Sequence, residues 1–139
     1  MPGPARELRF AIDLLPSGEL RDENGARLEV PAEWAPEHLL LAALGRCSLA
    51  SLRYHAQRAN LVVAHVSGET RALVTRRESD GRYAVVEATV EIAIELDPEP
   101  GADELTELLG KAERDCFVGA SLTAKPRYHW IVNGRAIEA

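Results

Sequence analysis

Residues 39–57 read LLLAALGRCSLASLRYHAQ, and this stretch decides the fold. Pro36 and Glu37 just ahead of it suit the first turn of a helix, and the pattern is helical over residues 36–59. Around residues 39–52 it is apolar on nearly every side, and a helix that is apolar all round is buried all round. One chain of 139 residues can hardly wrap such a helix, which favours burial against a second subunit. In its middle sits Cys47; the only other cysteine is Cys116, in ERDCFVGASL.

Ahead of the helix, ELRFAIDLL reads as a strand and PSGEL as a turn that folds it back towards LRDENG. NGARLEV is a second turn with a short strand, and PAEWAPE a loop. Two long strands follow the helix. Over residues 61–76, Val62, Ala64, Val66, Gly68, Thr70, Ala72 and Val74 alternate with a more polar set. Over residues 83–96, Val86, Ala88, Val90, Ile92, Ile94 and Leu96 face one way and Glu87, Thr89, Glu91 and Glu95 the other. RRESDGRY, with its Asp-Gly pair, joins them into an antiparallel hairpin with one wet face. After the breaker DPEPG a second helix covers residues 102–115, with Leu105, Leu108, Leu109, Ala112 and Cys116 as its apolar stripe. FVGASLTA continues as a short helix and PRYHWIVNG as a closing strand. The order β-β-β, long α, β-hairpin, α, β is α+β, in one domain over residues 1–139.

Composition narrows the function. A hydrophobic share of 46% with 27% charged residues is that of a globular chain. The net charge of −6 argues against nucleic acid or an anionic membrane as a general partner. MPGPARELRF has prolines and charges where a secretory leader needs an apolar run, and residues 39–44 fall far short of a membrane span. The expected compartment is the cytoplasm, where thiols are kept reduced and paired cysteines serve transient redox chemistry rather than static crosslinks.

Each cysteine alone reads most simply as a small buried hydrophobe. Two of them, each on the core face of one of the two substantial helices, raise the chance that they meet. No CxxC or HxxxH pair is present and two thiols do not complete a zinc shell, so no metal or other cofactor is implied. A reactive thiolate needs a cation or a helix N-terminus nearby. Cys47 is mid-helix, and Arg46 beside it points about 100° away around the helix. Arg21 and Arg27, on the N-terminal strands and turns, are better placed to reach over, with Arg21 the first choice.

APEHLLLAALGRCSLASL resembles the central-helix signature of the OsmC family, the osmotically inducible proteins with their organic hydroperoxide resistance branch. In that signature a Pro-Glu pair opens the helix and a cysteine follows ten residues after the glutamate, as Cys47 follows Glu37. AERDCFVGASL resembles the second signature, a cysteine at a helix end before small and apolar residues, with Phe117 where many members have proline. The resemblance implies an intertwined homodimer, antiparallel sheets wrapped around a long central helix, and active sites at the subunit interface. It implies Cys47 as peroxidatic thiol, Cys116 as resolving thiol, and an arginine paired with Glu37 to hold the thiolate. The implied partners are a small hydroperoxide and a dithiol reductant. Ten residues of one helix separate Glu37 from Cys47 by roughly 15 Å, so they can meet only across two antiparallel copies. The competing expectation is a non-catalytic dimer of the same fold, a ligand-binding or stress-associated protein with packing cysteines. The histidines are expected in plain roles: His55 near the helix end where it suits the dipole, His38 at the surface, His65 and His129 on polar strand faces.

Overall fold

The computed structural model describes residues 3–137. The chain divides into two compact units, residues 1–36 and residues 37–139. The first unit is a three-stranded antiparallel meander, β1 (Ile12–Leu14), β2 (Leu20–Asp22) and β3 (Arg27–Leu28). Its turns use Gly18 and Gly25 at φ of 91° and 93°, a region that favours glycine. The Asp22 carboxylate accepts from the Asn24 and Ala26 amides and closes the second turn.

The second unit is built on α1 (Pro36–Arg58), which enters the hairpin of β4 (Val62–Arg76) and β5 (Tyr83–Asp97). Then come α2 (Ala102–Arg114), the short α3 (Phe117–Ser121), β6 (Arg127–Val132) and β7 (Arg135–Ala136). The sheet order is β4-β5-β6-β7. β6 runs parallel to β5, with Val90 opposite Tyr128, Ile92 opposite Trp130 and Ile94 opposite Val132. The stretch α2–α3 supplies the crossover that a parallel pair requires. The two-residue β7 is an addition to the sequence reading.

The cleanly alternating strand behaves as its pattern dictates: Ala88, Val90, Ile92, Ile94 and Leu96 of β5 are all buried. They form one core with Leu44, Leu52 and Ala56 of α1, Leu108, Leu109 and Ala112 of α2, and Trp130 and Val132 of β6. On β4 the expected stripe holds only in the middle. The register shifts between Ala64 and Ser67, where His65 takes φ of 52°. This bulge reverses which residues face the core. Val62 is therefore exposed and Val63 packs against the core, while Thr70 and Ala72 beyond the bulge are half-buried. A Cβ on Gly68 would sit 2.3 Å from the Glu91 carbonyl oxygen, so the approach of the two strands there admits glycine alone.

The chain by itself covers one face of the central helix, as expected of a helix that one domain can hardly wrap. Within the chain its buried residues are Leu44, Ser48, Ser51, Leu52 and Ala56, a single stripe, whereas Ala43 and Ala50 are exposed and Leu39 to Leu41 half-buried. The sheet offers one surface and covers one face. Thr70 of β4 fixes the helix on that surface by donating to the Leu41 carbonyl at 3.0 Å.

Candidate active site

Two of the four anticipated site residues meet. Cys47 projects from α1 beside the buried stripe and is half-buried; Cys116 is fully buried at the corner between α2 and α3. Both are free thiols and lie near each other, each acting on the other's ionisation. Cys116 follows the last turn of α2 and is the N-cap of α3, where its Sγ accepts from the Gly119 amide at 3.4 Å. A hydroxyl or carboxylate usually fills that place. The Val118 amide of the same short helix donates to Cys47 Sγ at 3.4 Å. The α2–α3 corner thus presents one thiol and binds the other.

The surroundings of the two sulfurs are unequal. Ser48, next to Cys47 in sequence but on the buried stripe, places Oγ 3.5 Å from Cys116 Sγ. The same oxygen is 3.1 Å from the Tyr128 hydroxyl of β6 and 2.9 Å from the Leu44 carbonyl one turn back. Burial pushes the Cys47 thiol up, the Val118 amide pulls it partly back, and the Cys116 sulfur raises it further. Burial also acts on Cys116, but the Ser48 hydroxyl, the Gly119 amide, Cys47 and Tyr128 outweigh it and hold Cys116 below the ordinary range. Burial drives the Tyr128 hydroxyl well above its ordinary value, so it remains a donor.

The other two anticipated residues each stand within their own unit. Glu37 is in the first turn of α1, about three turns before Cys47. Arg21 belongs to the first unit, where its Nε and Nη2 donate to Asp13 at 3.2 and 2.9 Å. Three contributors escaped the sequence reading: Ser48, Tyr128 and Asp115. Ser48 could have been found, because a serine in register with Leu44, Leu52 and Ala56 on an apolar stripe needs a partner. Asp115 accepts from His55 at 2.7 Å, so His55 has a specific partner besides the helix end expected for it. A cavity of about 340 Å³ lined by Glu99, Leu105, Val132 and Arg135 carries no thiol. Among the described residues no three His, Cys, Asp or Glu side chains are grouped to hold a metal ion. No helix among them is long and apolar enough to cross a membrane.

The family model for OsmC-like protein matches residues 30–130, a span that includes the central helix and both cysteines. The chain belongs to the OsmC-like family. Among solved structures it is similar to an OsmC-like protein of unknown function from Vibrio cholerae. That pair is 17% identical with a TM-score of 0.70, covering 81% of this chain and 82% of the other. An OsmC-like protein from Mycoplasma pneumoniae is 14% identical, with a TM-score of 0.67 and coverage of 91% and 97%. An organic hydroperoxide resistance protein OsmC from Legionella pneumophila is 16% identical, with a TM-score of 0.59 and coverage of 92% and 98%. At these identities the likeness shows the α+β OsmC fold. No protein with a curated description matches the chain.

Proposed function

We propose that this OsmC-like protein is a thiol-dependent peroxidase that reduces organic hydroperoxides or hydrogen peroxide. The observation that carries the reading is that the α2–α3 corner holds a half-buried thiol and a fully buried one side by side, Cys47 through the Val118 amide and Cys116 through the Gly119 amide. Cys47 is the one a peroxide can reach. Its sulfur attacks one peroxide oxygen, the O–O bond breaks, and the departing alkoxide takes the thiol proton, leaving a sulfenic acid and an alcohol. Cys116 then displaces the sulfenic oxygen as water and forms the disulfide, which a dithiol donor reduces by exchange.

In this reading the raised Cys47 thiol calls for a cation, and Arg21 with Glu37 is the pair assigned to it. The roughly 15 Å of helix between Glu37 and Cys47 supports a pair supplied across a homodimer. The face of α1 that carries the exposed Ala43 and Ala50 is the surface such a dimer would cover. The cytoplasm suits a cycle that ends in thiol exchange.

One observation favours a second reading, a non-catalytic dimer of the same fold that binds a ligand or serves in stress: burial holds Cys47 away from its thiolate. Intact mass and thiol counting before and after stoichiometric cumene hydroperoxide separate the two. A peroxidase loses both thiols with a mass decrease of one pair of hydrogens. Cys47→Ser abolishes peroxide consumption, and Cys116→Ser stalls after one turnover as the sulfenic acid. Unchanged thiols, or slow over-oxidation at one site, would sink the peroxidase.

A further inference from the structure

We propose that Ser48 and Tyr128 form a hydroxyl relay that holds Cys116 as a thiolate for the resolving step. The proposal rests on the reading of Cys116 as the resolving thiol. Cys116 is fully buried, and a thiolate in a dry site is costly unless donors face it.

Hydroxyl bookkeeping shows how they do so. Ser48 has one proton and three neighbours, the Leu44 carbonyl at 2.9 Å, Tyr128 Oη at 3.1 Å and Cys116 Sγ at 3.5 Å. With Cys116 protonated, its S–H donates to Ser48 Oγ and the serine proton turns back to Leu44. With Cys116 ionised, the serine proton turns to the sulfur and Tyr128 O–H donates to Ser48 Oγ. With the thiol protonated all three contacts have a donor and an acceptor; on ionisation the serine proton leaves the Leu44 carbonyl, which keeps the helical amide four residues on, so the thiol loses and regains its proton at the cost of that one contact. Gly119 completes the site from α3: its amide donates to Sγ, and a Cβ there would stand 3.3 Å from Tyr128 Oη and 3.4 Å from Sγ.

The charged and titratable groups around this cluster are few. Cys47 faces it from α1 and Glu113 of α2 acts on Tyr128 while accepting from Trp130 Nε1 at 3.0 Å. Asp115, next to Cys116, is taken up by Arg114 and His55. In the step itself Cys116 attacks the sulfur of the Cys47 sulfenic acid, the S–S bond forms, and the S–O bond breaks. The departing hydroxide takes the proton that Cys116 released and leaves as water. Ser48 and Tyr128 touch neither peroxide nor the oxidised sulfur and act through Cys116 as positioning residues.

The test is a titration that needs no peroxide. In the Cys47→Ser chain the ultraviolet thiolate absorbance reports Cys116 alone, and its midpoint is expected below the ordinary cysteine value of about 8.5. Adding Ser48→Ala or Tyr128→Phe to that background is expected to raise the midpoint by about one pH unit. With both cysteines present, each substitution slows disulfide closure about tenfold at neutral pH, timed from the sulfenic acid already formed at Cys47. Raising the pH restores closure. If neither substitution moves the midpoint, or if closure slows equally at every pH, the relay is overturned. Should Ser48→Ala fail to fold, Tyr128→Phe, which keeps the ring, decides. A shifted midpoint in a chain that peroxide leaves unoxidised keeps the relay's effect on Cys116 and sinks the peroxidase.

Discussion

Ser48 and Ser51 stand less than one turn apart on the same buried stripe of α1, yet their hydroxyls meet opposite conditions. Ser48 Oγ bonds the Leu44 carbonyl and reaches both Tyr128 and Cys116. Ser51 Oγ, on a residue only 8% exposed, has no hydrogen-bond partner. The helix can in principle satisfy either serine through the carbonyl four residues back, so helical geometry alone does not explain the difference. The difference lies in what is packed opposite. Ser48 faces β6 and the α2–α3 corner, which both present polar groups. Ser51 falls between that cluster and the next polar tie, His55 to Asp115. A buried hydroxyl on an apolar face is thus a cost or a device according to its cross-helix partner, and the pair puts a sign on each.

Two substitutions test that sign. Ser48→Ala removes the partner of a half-buried tyrosine hydroxyl and a buried thiol at once. It is expected to lower the stability of the reduced protein by about 1–3 kcal/mol, read by urea unfolding. Ser51→Ala deletes an unpaired hydroxyl from the core and is expected to leave stability unchanged or raise it by up to about 1 kcal/mol in the same assay. Equal losses from the two would break the comparison and reduce Ser48 to a packing residue.

How much of this is legible in the amino-acid sequence follows from which interactions are periodic. The central helix, the β4–β5 hairpin, the stripe Leu105 to Cys116 and the inward set Ala88 to Leu96 all announce themselves through apolar spacing, and each stands where the spacing puts it. The meeting of Cys47 with Cys116 was foreseeable only as an expectation from two core-facing helices. The bulge at His65 was not legible, because a single inserted residue changes facing without changing composition. Nor was the parallel pairing of β6 with β5, since a period of two along residues 127–132 does not say which way the strand runs beside its neighbour. Tyr128 and Asp115 stayed hidden for a related reason: their partners, Ser48 and His55, lie some eighty and sixty positions away on another element.

The second polar tie along the stripe carries the smallest expected effect. Asp115 closes α2 and takes Arg114 through both carboxylate oxygens, at 2.9 and 3.0 Å, and His55 Nε2 at 2.7 Å. The Arg114 bond first, and then His55, hold its carboxyl down at about 2, against the usual 3.8. A carboxylate lowered by folding adds stability that is complete above its unfolded value and is lost as pH falls through the folded one. Here the window runs from about 4 down to about 2. The side chain is 38% exposed, so solvent screens the pairing, and Asp115→Asn is expected to cost only about 0.5 kcal/mol at neutral pH. The sharper reading is the slope: unfolding midpoints of the natural chain and the variant should converge as the pH is lowered through that window. If they stay parallel down to the acid limit, the His55–Asp115 contact is geometric company rather than a tie, and Ser48 is left as the single energetically coupled polar residue of the stripe.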